Sequence, residues 1–271
     1  MYVIGVDGCR RGWVAVALTN GRFAGASHFT SFADLHAALD DAYAMAVDIP
    51  LGLVAEGSRT CDELVRASLG PRGASVFAVP PRRALQAQTY EEANELTRAL
   101  MGQGLTKQAY ALRGKILEAD GVLAQAVESP PRQSESAREL MMRREDPVAL
   151  RKYARIIEPD DVRREQLDRA RPGGRVIEAH PEASFAEMAG HPLRHTKKSY
   201  NGVMARIRLL ERAQIVIPLE LDEVGGVSID DVLDAAAVAW TAHRYAMRRA
   251  MSRPGPDAWQ RDGDRVISIW T

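Results

Sequence analysis

The sequence predicts an α/β fold built on a mixed sheet, and three observations carry that prediction. Two apolar segments near the N-terminus, YVIGVD (2–7) and GWVAVAL (12–18), are followed by a third, RFAGASHF (22–29), across Asn20-Gly21. That dipeptide between strand-like runs is a strong signal for a two-residue hairpin. A helical pattern and a further apolar strand, AMAVDI (44–49), come next, and strand and helix patterns return after residue 174.

Taken in order, the first strand is apolar until Asp7, and Gly8 reads as the turn after it, with Cys9, Arg10 and Arg11 alongside. Ser31 caps the helix SFADLHAALDDAY, in which Phe32, Leu35, His36 and Leu39 recur at helical spacing. The strand at 44–49 is nearly all apolar, as expected where a sheet is covered on both faces. Residues 55–171 read as a helical insertion in one domain spanning 1–271. Within it, Thr89 and Glu92 form a capping box ahead of a helix closed by Gly102 and Gly104. A long helix is predicted over 105–127, and short ones begin at Asp146-Pro147 and Pro159-Asp160. The core resumes with the strand RVIEA (175–179), and His180-Pro181-Glu182 turns into a helix. An amphipathic helix (199–213), a last long helix begun by Ser228, and a closing strand RVISIW (265–270) complete the chain.

Lys plus Arg and Asp plus Glu both total 36, so net charge is zero. This argues against coating nucleic acid by bulk electrostatics and leaves room for a local basic groove. Cys9 and Cys61 are too few for a disulfide framework or a four-cysteine zinc site. No apolar run reaches the roughly 18 residues of a membrane span, and no signal sequence precedes the first strand, so a cytoplasmic protein is expected. The phosphate loop G-x-x-x-x-G-K-[ST], the G-x-G-x-x-G fingerprint and the G-x-S-x-G elbow are missing.

Four acids stand at the ends of core elements: Asp7, Asp48 in VDIPLG, Glu178 in VIEAHPE and Asp234 in the last helix. Strand ends are where α/β sheets bind ligands. Two unit charges about 4 Å apart repel by roughly 4 kcal/mol at an effective dielectric of about 20, so converging acids need a cation or a raised pKa. Mg²⁺ or Mn²⁺ suits oxygen ligands, and such ions can activate water and stabilise a leaving oxygen. Plainer readings stand beside these. Asp7-Gly8 also fits a turn pair, Asp48 a turn cap, and Glu178 a partner for an arginine of the insertion. Asp231 fits a capping box with Ser228, which favours Asp234 as the ligand and leaves Asp231 an accessory one. Lys197, Arg10 and Arg206 are candidate phosphate contacts, against the plainer reading of solvated surface charge. His180 fits a ligand, a proton carrier or a structural histidine, and Cys61 a packed thiol.

The blocks IGVDGCRRGW, VDIPLGL, CDELVRASLGPRGASVFAVPPRRAL, IEAHPEASF, KKSYNG and DDVLDAAAVAW, in this order, resemble a bacterial and archaeal family, domain of unknown function 429. Its members are described as predicted RNase H-like nucleases. The resemblance runs from residue 3 to about 245 and is weakest at 132–171; Arg11 stands where the family commonly has glycine. It implies an RNase H-like fold, a five-stranded mixed sheet with strands 1–3 antiparallel and flanked by helices. It also implies two Mg²⁺ or Mn²⁺ ions on Asp7, Asp48 and Asp234, with Glu178 as a further ligand. The expectation is a metal-dependent nuclease acting on nucleic acid. The alternatives are a phosphotransferase of the actin-like or sugar-kinase type and a non-catalytic binding module on the same scaffold.

Overall fold

The computed structural model describes residues 1–39, 41–128, 174–224 and 226–271; the short helices expected at Asp146 and Pro159 lie outside them. The strands are β1 (Tyr2–Cys9), β2 (Gly12–Thr19), β3 (Arg22–Phe29), β4 (Ala44–Asp48), β5 (Val176–Ala179), β6 (Ser252–Arg253), β7 (Gln260–Asp262), β8 (Arg265–Ile267) and β9 (Ile269–Trp270). The helices are α1 (Phe32–Ala38), α2 (Thr60–Leu69), α3 (Arg82–Leu85), α4 (Tyr90–Met101), α5 (Lys107–Glu128), α6 (Pro181–Ala189), α7 (Tyr200–Arg212) and α8 (Ile229–Ala246).

The main sheet has the strand order β3-β2-β1-β4-β5-β9-β6. β1, β2 and β3 are antiparallel, while β4, β5 and β9 run parallel to β1. The sheet is therefore mixed, as expected, but among the described residues it has seven strands and not five. The expected closing strand divides: β8 turns back on β7 through Gly263, at φ +59°, and only Ile269–Trp270 joins the main sheet, where β6 pairs with it.

Asn20 and Gly21 have φ of 52° and 77°, the left-handed pair of a tight hairpin whose twist matches its strands. The first hairpin turns later than its sequence suggests. β1 continues through Gly8, paired with Trp13, to Cys9, paired with Gly12, so the loop is Arg10-Arg11. Neither arginine has a positive φ, which explains how arginine is tolerated at position 11. Asp7 is consequently a strand residue and not a turn acid.

Strand alternation sorts the core into two layers. Val3, Val14, Val16, Ala44 and Ala46 pack with α8 on one face. Ile4, Val6, Trp13, Met45 and Val47 pack with α1 and α5 on the other. The α8 layer is unusually close. A methyl group on Gly5 would stand 2.1 Å from the Ala235 carbonyl oxygen and the Ala239 amide nitrogen, so the helix backbone rests directly on β1. Ala235, Ala236, Ala237 and Ala239, all fully buried, make that approach possible. On the opposite face, α5 is held by Glu118, which accepts hydrogen bonds from the Trp13 indole (3.2 Å) and the Phe32 amide (2.5 Å). Arg82 links Asp120 of α5 to Asp262 of β7 (2.6 Å), and Asp262 also accepts from the Leu53 amide (2.9 Å). No helix among the described residues is long and apolar enough to cross a membrane.

Candidate functional site

Parallel pairing sets Asp7 of β1 directly opposite Asp48 of β4. Both share strand parity with residues that face α8, Val3 and Gly5 on one strand and Ala44 and Ala46 on the other. Asp234 arrives from α8 one residue before Ala235, the residue that meets Gly5. Its depth is thus fixed by the glycine–alanine contact. Asp7 and Asp234 are almost wholly buried.

The electrostatics of the three acids are coupled. Burial pushes the Asp7 carboxyl well above the usual carboxylate range, and the charges of Asp48 and Asp234 push it further. Burial does the same to Asp48, with Asp234 and Glu178 adding to it and a hydrogen bond from Asp7 working the other way. Burial raises Asp234 to about 6 against the pull of Lys197.

Lys197 is the cation among them. Its Nζ lies 2.5 Å from Asp234 Oδ2 and 3.8 Å from Asp230. Burial opposes its charge, but Asp234, Asp7 and Asp48 together hold its pKa above the usual lysine value. The loop carrying it is pinned to α7: Ser199 accepts from the Gly202 amide (3.1 Å), and a Cβ on Gly202 would stand 1.8 Å from the Thr196 carbonyl oxygen. Only glycine lets that carbonyl dock, which explains the spacing of KKSYNG. Lys115, from α5, is a further cation absent from the sequence reading. It donates to the Gly12 carbonyl (2.5 Å), lies 4.4 Å from the Trp13 ring centroid, and covers Gly8. It also counters the charge of Asp231. A lysine inside a long helix has no local signature that aims it at this hairpin.

Glu178 does not join these acids. It pairs in register with Val47, which faces away from α8, so the alternation that unites Asp7 with Asp48 turns Glu178 to the opposite face. There it meets Arg59 at 2.5 Å and accepts from the Leu51 amide at 2.7 Å. Of its two sequence readings, pairing with an arginine of the insertion is the one found. Burial still raises Glu178 to about 7. Arg59 is fully buried and also faces Asp62 at 3.7 Å; both acids, against the effect of burial, hold it charged. Cys61 is a buried thiol whose pKa burial raises, so it is packed and not nucleophilic.

Arg206 is not a phosphate contact. It is fully buried, bound to Glu182 at 2.5 Å and to the carbonyls of Gly202 and His195, and it lies over Phe185. Glu182 is shared with Arg72 at 2.7 Å. Asp231 is only half-buried, and its expected capping role is absent: Ser228 directs its hydroxyl to Asp230, with no side-chain cap on the helix. Arg10 is exposed on the hairpin loop. His180 sits 3.4 Å from the Ser75 carbonyl with its pKa lowered by burial, a histidine kept neutral.

Among the described residues, buried Asp230 turns to Ser228, Lys197 and Lys198, and three groupings of acids stand out: Glu182 with Arg72 and Arg206, Glu178 and Asp62 with Arg59, and Asp7, Asp48 and Asp234 with Lys197. The last set has three carboxyls and one ammonium, which leaves its fully ionised form short of two positive charges. Among the described residues, no three His, Cys, Asp or Glu side chains already converge at metal-ligand spacing.

The shortage fixes a pH dependence. Carboxyls raised above their unfolded values, about 3.9–4.3, bind protons more tightly in the fold. Their stabilisation is complete below that range and is lost as pH rises through their folded values, about 6 for Asp234 and about 7 for Glu178. In a chelator, the melting temperature is expected to be higher at pH 5 than at pH 7.5. Mn²⁺ at pH 7.5 should restore part of the difference. Equal melts at both pH values, measured by calorimetry, would contradict this.

A protein-family model described as "Protein of unknown function (DUF429)" matches residues 5–143 and 135–258. No curated protein and no solved structure matches the chain.

Proposed function

The chain belongs to the DUF429 family, and on that footing we propose that it is a divalent-metal-dependent phosphodiester hydrolase with an RNase H-like core. The observation that carries the reading is the set of Asp7, Asp48 and Asp234, two of them buried, with Lys197 as the cation that acts on all three. Antiparallel β1–β3, followed by β4 and β5 parallel to β1, suit the RNase H-like comparison, extended here by two short strands.

Hard carboxylate oxygens that lack two positive charges fit a Mg²⁺ or Mn²⁺ ion. Asp7, Asp48 and Asp234 would hold it, and Asp231 stands nearby as an accessory. When bound, such an ion activates water and stabilises the leaving oxygen of a phosphodiester. Asp7 and Asp48, on adjacent strands of a rigid sheet, hold their carboxyls in fixed relation, the preorganisation that a reacting site needs. Lys197, more than a third exposed at its side chain, is free on its outer side to meet a substrate phosphate while it neutralises Asp234. Glu178, turned to the other face, supports β5 and lends only its field. Nucleic acid is the substrate class this chemistry serves.

The test is cleavage of labelled single-stranded, duplex and branched DNA and RNA in Mn²⁺ or Mg²⁺. Cleavage is expected with the native chain, reduced about a hundredfold or more in Asp7→Asn and in Asp48→Asn, the scale of losing one preorganised charge at a reacting centre. No cleavage by the native chain, or undiminished cleavage by Asp7→Asn, would refute the reading.

A further inference from the structure

We propose that the pocket between the Arg10-Arg11 loop and the start of α8 is a subsite for a single nucleotide, with the phosphate on Arg10 and Arg11 and the sugar on Asp231. This rests on the hydrolase reading above and names the substrate unit that the reading leaves open. The pocket encloses about 360 Å³, near the lower end of ligand pockets, which run from about 300 to 1,000 Å³. Such a volume is on the scale of one nucleotide.

Its lining divides by chemistry. Arg10 and Arg11 present two guanidinium groups, and among the described residues neither is paired with a carboxylate. Among the described residues of the lining they outnumber the acid, Asp231, so the pocket favours an anion. Cys9, Val224 and Val227 give an apolar wall, and His28 adds a ring on which a base can stack. Asp231, repelled from the phosphate, is suited to accept from a sugar hydroxyl.

Asp231 joins the pocket to the reacting carboxyls. It lines the pocket, and its charge also acts on Asp7. The chemistry is shared by a free nucleotide and by the end of a single strand.

Calorimetric titration of the full chain in EDTA tests the subsite without hydrolysis. The ligands are a nucleoside 5′-monophosphate, the matching nucleoside, inorganic phosphate and a short 5′-phosphorylated oligonucleotide. The monophosphate is expected to bind more tightly than either of its parts. The double variant Arg10→Ala/Arg11→Ala should weaken it about tenfold or more, the value of one charge-assisted hydrogen bond. Asp231→Asn should narrow the preference for a ribonucleotide over its dideoxy analogue. Tighter binding of the oligonucleotide assigns the subsite to a strand end, and tighter binding of the free nucleotide assigns it to a small substrate. Monophosphate binding no tighter than inorganic phosphate, or native affinity in the double variant, overturns the proposal. Both arginines are exposed on a loop, so circular dichroism should show an unchanged fold. Repeating the titration with Asp7→Asn separates the two claims: binding that persists there supports the subsite even if no cleavage is ever found.

Discussion

Arg59→Ala is expected to destabilise the protein by about 3–5 kcal/mol, the cost of breaking a buried ion pair from one side. Arg59 has no solvent exposure at its side chain, and its removal strands Glu178 and Asp62 in the space beneath α2. The loss should depend on pH. Glu178 already sits at about 7 with its partner present, and without Arg59 it would rise further and escape by taking up a proton. Urea denaturation should therefore show a larger loss at pH 8 than at pH 5.5. Arg59→Met combined with Glu178→Leu and Asp62→Asn should recover much of the stability, because a buried ion-pair cluster can be exchanged for neutral, well-packed groups at little cost. A single variant with native stability at pH 8 would show that Glu178 is not the charge Arg59 serves.

Gly5→Ala is the second large effect, and it reaches the site through the backbone. The added methyl would meet the Ala235 carbonyl and the Ala239 amide at 2.1 Å, and neither can rotate away as a side chain could. Overpacking of this kind costs about 1–3 kcal/mol, and more where no atom can yield. The helix must lift from β1, and Asp234 lifts with it. Besides a lower urea midpoint, the variant should lose the Mn²⁺ stabilisation expected at pH 7.5 for the native chain. If Gly5→Ala keeps both, the close helix–strand contact does not set the position of Asp234.

Much of this arrangement was legible in the residues. The hairpin at Asn20-Gly21, the caps at Ser31 and Thr89, and the strands flanking Asp7 and Asp48 all follow from local chemistry. They need no knowledge of distant contacts. Asp234 was separable from Asp231 because it lies beyond the first turn, among alanines. Three features were not legible, each because its cause lies elsewhere in the chain. The turn at Arg10-Arg11 is set by Gly8 pairing with Trp13, and the glycine alone suggested an earlier stop. Glu178 lies on a strand buried on both faces, so no polar alternation marks which way it points; only its pairing with Val47 decides. Arg206 sits in an amphipathic helix whose charged residues read as surface, and its burial becomes evident only once Glu182 is placed beside it.

The acids that meet at the sheet come from opposite ends of the chain, Asp7 from the first strand and Asp234 from the last long helix. Their repulsion is absent until α8 docks on β1, and contacts so distant in sequence close slowly. In kinetic terms, the strain then weighs on the lifetime of the native state more than on the speed of reaching it. The pH dependence described above would accordingly appear in the unfolding limb of a denaturant chevron, with refolding rates little changed. A proton, or a bound cation, would act as a latch that slows the departure of α8.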